Sequence, residues 1–143
     1  MDTNNPTSGG RIMRKELDEK LCAKFPKIFV NRNAPMTETA MCWGVSCGDG
    51  WYNLIYTLCN CIQSHIDYKE RVGTPIQQVV ATQVKEKFGA LRFYVTGGDD
   101  YTYGLISLAE ALSEVTCEVC GAPGEARTGF WVSTLCDEHS NGV

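Results

Sequence analysis

No stretch of the sequence approaches the ~20 consecutive apolar residues that a membrane-spanning helix needs, so the chain is not expected to enter a membrane. Residues 1–10 lack the cationic segment and apolar run of a secretory leader and are rich in Asn, Thr, Ser, Pro and Gly, which reads as a disordered tail over residues 1–11. Histidine occurs only twice, and no paired-histidine, Ser-His-Asp or Walker pattern is present. Positive charge is also scarce: 13 Lys and Arg stand against 17 Asp and Glu, a net charge of −4. An acidic chain without a broad basic footprint argues against duplex nucleic acid as a partner.

Cysteine is plentiful, at eight of 143 residues. A chain this long buries roughly 68–70% of its unfolded surface and does not need disulfide staples. With no secretory leader, thiols or metal ligands are the expected roles and a cytoplasmic location follows. Cys117 and Cys120 are followed by Cys136 and His139 in a C-x2-C-x15-C-x2-H spacing. Gly121, Pro123, Gly124 and Gly129 allow the turns between the two pairs, and residues 130–135 are expected to form the returning strand. Three thiolates and one imidazole make a structural zinc site with no coordination position left for a substrate or a reactive water. Only Arg127 offers a cation in this segment, against Glu118, Glu125, Asp137 and Glu138, so nucleic-acid binding by the ribbon is not expected. Cys59 and Cys61 would point about 200° apart on a helix and cannot share a metal, so the other five cysteines read as packing residues.

Three helices precede that segment. Met13, Leu17, Leu21 and Phe25 form a stripe ended by Pro26, with the opposite face charged and turned to solvent. A short strand is expected over residues 41–46. Asp49, in a Gly48-Asp49-Gly50 turn, is a natural N-cap for a second helix that carries Trp51, Leu54, Ile55, Leu58, Ile62 and Ile66 on one face and His65 at its edge. The third helix, over residues 101–115, shows Leu105, Leu108, Ala109, Leu112 and Val115 on one face and Ser107, Glu110 and Glu114 on the other. Between the second and third, residues 79–96 are β-rich and read as a hairpin with a Gly89-Ala90 loop. The expected fold is therefore α+β: a small antiparallel sheet packed with three helices over residues 12–116, then a zinc ribbon over residues 117–143.

In the register set by a Gly89-Ala90 loop, Lys87 faces Arg92 and Lys85 faces Tyr94. One sheet face then holds Val84, Phe88, Leu91, Phe93 and Val95 with Glu86, and the other holds Gln83, Lys85, Lys87, Arg92, Tyr94 and Thr96. Directly opposed cations repel, so something negative should lie over this face. Two occupants are open: the chain's own acids, since residues 99–143 carry eight Asp and Glu against one Arg, or an anionic, nucleotide-like ligand. Gln83, Lys85, Lys87, Arg92 and Tyr94 are the candidate phosphate-binding group, with Trp43 and Trp51 as base-stacking partners. Gly50, at a helix start, is a second candidate anion contact. Glu86, held among apolar neighbours, is either buried structure or a functional acid.

Pro35-Met36-Thr37, Met41-Cys42-Trp43-Gly44, Gly48-Asp49-Gly50-Trp51-Tyr52, the run QVKEKFGALRFY over residues 83–94, residues 117–121 and residues 135–139 together carry a resemblance. Over about residues 11–139 the chain resembles a family of small proteins encoded by tailed bacteriophages and prophages. The resemblance implies an accessory role in the cytoplasm of a bacterial host. By analogy with small phage proteins that counter host defence, it raises sequestration of a nucleotide immune signal as the leading function. The alternatives are a phosphodiesterase-like enzyme using Glu86, Tyr94 or His65 for proton transfer, and an inhibitor that presents the acids of residues 99–118 to a host defence protein. Exposed sheet edges lead to the expectation of a homo-oligomer.

Overall fold

The computed structural model describes residues 10–140. All but two residues of the expected N-terminal tail fall outside that range; Gly10 and Arg11 lie inside it. Among the described residues no helix is long and apolar enough to cross a membrane.

The fold is α+β. Helix α1 (Lys15–Lys24) is followed by irregular turns, a 3-10 turn (Ala40–Trp43) and strand β1 (Val45–Ser46). A second 3-10 turn (Asp49–Trp51) runs directly into α2 (Tyr52–Arg71). Strands β2 (Val80–Lys87) and β3 (Ala90–Thr96) form the hairpin, α3 (Asp100–Ser113) follows, and β4 (Glu125–Arg127) and β5 (Ser133–Leu135) form a two-stranded ribbon. The first sheet has the order β1-β2-β3, with β1 parallel to β2 and the hairpin antiparallel. The sheet is thus mixed rather than purely antiparallel.

One core joins these layers. Trp51 comes from the 3-10 turn before α2, Ile55, Ile62 and Ile66 from α2, Val45, Val84, Leu91 and Phe93 from the sheet, Leu21 from α1 and Ile106 from α3. The charged face of α1 is not wholly solvated as expected. Asp18 is buried there, accepting from the Arg32 guanidinium at 3.1 Å and the Val45 N–H at 3.2 Å, so that one carboxylate ties the helix to the next turn and to β1.

Helix α3 is rotated from the expected orientation. Its buried residues are Thr102, Ile106, Ala109 and Ser113, while Leu108 and Leu112 are exposed. The reason lies on β3, whose outward N–H groups need acceptors. Leu91 N–H donates to the Ser113 hydroxyl at 2.8 Å and Phe93 N–H to the Glu110 carboxylate at 3.0 Å, which turns the polar side of α3 to the sheet. This also covers one of the two edges of the sheet, that of β3.

Candidate functional site

The Cys117, Cys120, Cys136 and His139 donor atoms all lie within 4.8 Å of one another. The Cys120 and Cys136 sulfurs are 3.8 Å apart, and His139 Nδ1 is 3.8 Å from the Cys117 sulfur and 3.2 Å from that of Cys136. A tetrahedral ion with Zn–S and Zn–N bonds of ordinary length spaces its ligands by about 3.8 Å (S···S) and about 3.6 Å (S···N), so the four residues fit a metal ion of that size. Burial would push the Cys117 thiol up, but N–H groups of Cys136, Cys120 and Val119 aimed at its sulfur outweigh this and bring it down to about 6. At Cys117 the knuckle thus favours the thiolate that a metal requires, whereas at Cys120 the Ala122 N–H is outweighed by desolvation and by the neighbouring Cys117 and Cys136 sulfurs, which raise the thiol.

Three of the cysteines outside this cluster, Cys22, Cys47 and Cys59, are held as thiols. Burial, reinforced by Asp18, pushes the Cys22 thiol up to about 12, and burial likewise raises Cys47 and Cys59. Among the described residues they join no metal-ligand cluster. Between the ligand pairs, the returning strand is shorter than expected, covering Ser133–Leu135. Phe130 and Trp131 instead form an exposed edge-to-face pair with centroids 5.5 Å apart.

The metal-ligand segment is not an appendage. Glu118, between the first two cysteines, is 1% exposed, accepts from Gly48 N–H at 2.9 Å and pairs with Arg11 at 3.0 Å. Burial raises its carboxyl above the ordinary value, and the Gly48 N–H and Arg11 oppose that shift. Gly50 N–H donates to the Glu118 carbonyl at 2.8 Å. The Trp51 indole donates to the Thr116 carbonyl at 2.8 Å, and the Thr134 hydroxyl to the Gly89 carbonyl at 2.6 Å. A Cβ on Gly50 would run into the Cys117 carbonyl, and one on Gly48 into that of Glu118, so glycine is required at both by close approach.

The structure corrects four assignments made from the sequence around this turn. The anion at the Gly48-Asp49-Gly50 turn is the chain's own Glu118, which leaves Gly50 no N–H for a ligand. Trp51 is fully buried and cannot stack a base. Asp49 does not cap α2 either; it accepts from Arg14 N–H at 2.8 Å and pairs with the Arg14 guanidinium at 2.8 Å. Arg11, expected in a disordered tail, is a docking residue.

The hairpin register also differs from expectation. Its loop is Phe88-Gly89, with φ of 54° and 83°, and the pairs are Lys87↔Ala90, Glu86↔Leu91, Lys85↔Arg92, Val84↔Phe93 and Gln83↔Tyr94. Both loop residues take the left-handed conformation, as a type I′ turn requires. The unfavourable φ at Phe88 is offset by Glu86, which is buried and accepts from Gly89 N–H at 2.7 Å. Glu86 is thus a turn-holding residue. The shift amounts to two positions, and an even shift preserves which face each side chain takes. Val84, Glu86, Leu91 and Phe93 are accordingly buried, while Lys87 and Tyr94 are exposed and Gln83, Lys85 and Arg92 half-buried. Phe88 leaves the apolar face for the loop tip, where Lys87 lies over its ring at 5.6 Å.

Lys85 and Arg92 therefore oppose each other directly, flanked by Gln83 and Tyr94. Among the described residues no carboxylate pairs with Lys85, Lys87 or Arg92. Five of the eight acids of residues 99–143 are engaged elsewhere: Asp99 by His65, Glu110 by β3, Glu118 by Arg11 and Gly48, and Glu125 and Asp137 by Arg127. Trp43 is half-buried just before β1, the strand beside β2, and is the expected aromatic partner that stays next to the cationic strand.

Two features were not foreseen. A groove of about 570 Å³ between α2 and α3 is lined by Leu54, Leu58, Leu105, Leu108 and Leu112, with Val119 of the metal knuckle also in its lining. His65 Nε2 meets Asp99 at 2.8 Å, and its ring stacks on Tyr101 with centroids 4.1 Å apart. The sequence signal for the second was present: His65 at the edge of its stripe, and Asp99 at the N-cap of α3, where it accepts from Thr102 N–H at 2.9 Å. The hydrogen bond from His65, followed by that from Thr102 N–H, holds the Asp99 carboxyl well below the ordinary carboxylate range. A depressed folded-state value contributes stability above the unfolded value, near pH 4, which is lost as the pH falls from there through the folded value. Asp99 is 35% exposed, so solvent screening limits the effect to about 1 kcal/mol. The stability deficit of Asp99→Asn relative to the parent, measured by urea unfolding, is expected to shrink below pH 4; a deficit constant from pH 7 to pH 2.5 would contradict this assignment.

Comparison of the chain with family models, with curated proteins and with solved structures finds no match. The functional reading rests on the site.

Proposed function

We propose that this is a non-enzymatic binding protein that captures a phosphate-bearing small molecule, nucleotide-like in character, on the open face of the β2–β3 hairpin. The observation that carries this reading is the uncompensated cation pair: Lys85 and Arg92 face each other with Lys87 at the strand end, and no carboxylate of the described chain pairs with any of them. Sequestered between them, a phosphate would relieve their repulsion and accept charge-assisted hydrogen bonds, with Arg92 able to bind it bidentately. Tyr94, 43% exposed, offers a ring for a base, and Gln83 an amide for its edge.

The metal in this reading is zinc, because three thiolates and one imidazole at tetrahedral spacing suit that ion best. Cys117, Cys120, Cys136 and His139 would hold it, and four protein ligands leave it a structural role. Support for the phosphodiesterase-like alternative is reduced by Glu86 holding the turn and by His65 lying on α2 beside α3 rather than on the hairpin. The acidic-inhibitor alternative loses Asp99, Glu110 and Glu118 to partners within the chain and is left with the exposed Asp100 and Glu114. The resemblance to phage-encoded proteins supports a bacterial cytoplasmic setting and a nucleotide immune signal as the ligand.

Calorimetric titration with a panel of mononucleotides and cyclic oligonucleotides tests the proposal. Saturable binding to the parent, at least tenfold weaker in Lys85→Ala/Arg92→Ala and with ligand recovered intact, is expected. Time-dependent cleavage, or binding that the double variant leaves unchanged, would refute it.

A further inference from the structure

We infer that the cavity between the second half of α2 and the start of α3 is a separate binding site for a planar aromatic ring that carries an anionic group. The cavity holds about 500 Å³, within the range of small-molecule sites, and is lined by Asn60, Ser64, His65, Tyr68, Lys69 and Tyr101 together with Cys61. On α2, Ser64, His65 and Tyr68 fall on one side by helical spacing and Glu70 on the other, while Asp67 flanks Ser64 on the side away from His65; neither acid lines the cavity. Asp67 is further engaged by the Gln63 amide at 3.0 Å. Lys69 is therefore the formal charge of the lining, and among the described residues no carboxylate pairs with it.

His65 is held in place from two directions. Asp99, itself fixed by the Thr102 N–H and hydroxyl, meets Nε2, while Tyr101 stacks against the ring at an interplanar angle of 22°. Nδ1 has no partner among the described residues, and no buried side-chain nitrogen or oxygen is left unpaired. Nδ1 is therefore not sealed in the interior, and His65 lines the cavity. The two tyrosines have rings in hand: Tyr101 is 56% and Tyr68 51% exposed, the latter with Arg71 over it at 5.7 Å. A flat ring can stack on these surfaces, its edge can meet Asn60, Ser64 and Nδ1, and its anionic group can reach Lys69. Two sources share this chemistry, a nucleoside monophosphate and an aromatic carboxylate.

The chain contains two histidines, so the His65 ring resonances can be followed by NMR in the full-length, metal-loaded protein with His139 as internal control. Adenosine 5′-monophosphate, indole-3-acetate, adenosine and inorganic phosphate are the probes. A saturable shift of the His65 resonances with either or both of the first two is expected, with adenosine and phosphate at least tenfold weaker. Which of the two binds identifies the source. Lys69→Ala and Tyr101→Leu should each weaken binding at least tenfold, and Lys85→Ala/Arg92→Ala should leave it unchanged. No His65 shift with either ring anion, equal binding of adenosine, or loss of the shift only in the hairpin variant would overturn this site; the last result would leave the hairpin proposal standing.

Discussion

Removing the metal with a chelator is expected to lower the melting temperature of the whole chain by more than ~10 °C, not merely to release its C-terminal ribbon. The ribbon has two three-residue strands and little core of its own, so its order depends on the ion. Structural zinc in such sites supplies on the order of 10–16 kcal/mol of apparent binding free energy. Without it, Cys117, Glu118 and Leu135 lose the geometry that keeps them buried, and Gly48 N–H, Gly50 N–H, the Trp51 indole and the Gly89 carbonyl lose their partners together. Each buried group left unpaired costs about 1–3 kcal/mol, so loss of the ribbon spreads into α2 and the hairpin turn. Calorimetry with and without chelator, read alongside near-ultraviolet circular dichroism of the buried Trp51, decides the matter. An unchanged core transition with only local loss of order would show that the ribbon is independent.

Glu118→Ala is expected to destabilise the protein by about 3 kcal/mol even with metal bound, because it strands a buried N–H at Gly48 and the Arg11 guanidinium at once. Glu118→Gln keeps the shape and an acceptor for Gly48, so about half that loss is expected. Gly50→Ala should resemble the alanine variant, since its methyl group meets the Cys117 carbonyl and forces the knuckle outward. Urea unfolding of the metal-loaded variants measures all three. A Glu118→Ala variant within about 0.5 kcal/mol of the parent would remove the docking role from this residue.

What could be read from the sequence was what is local. The four metal ligands declare themselves through two short spacings joined by turn residues, and the structure brings the same four together. The hairpin is visible as a β-rich run, and apart from Phe88, which moves into the loop, its faces follow from the sequence because a two-position register shift does not exchange them. Its register was not visible. Glycine preference favours a loop beginning at Gly89, whereas packing of Val84 against Phe93 and the Glu86 bond to Gly89 N–H place a phenylalanine in the left-handed region instead.

Long-range polar contacts were hidden for the same reason. The Gly48-Asp49-Gly50 turn does bind an anion, but Glu118 lies 70 residues away, and nothing in the local pattern points to it. Leucine periodicity alone turns α3 toward the core by Leu105, Leu108 and Leu112. The unpaired N–H groups of β3 turn it by Ser113 and Glu110, because an orphaned buried donor outweighs a partly exposed leucine.

With Glu118, Glu110 and Asp99 engaged, the directly opposed cations of the β2–β3 face have no carboxylate partner among the described residues. Native mass spectrometry of the protein as purified from bacterial cells, repeated after nucleotides are added, tests that most directly. The expected spectrum shows each chain with one zinc ion and an intact phosphate-bearing molecule, and the Lys85→Ala/Arg92→Ala variant with zinc alone. A parent protein that carries zinc but retains no phosphate-bearing molecule, either as purified or after nucleotide addition, would contradict the account.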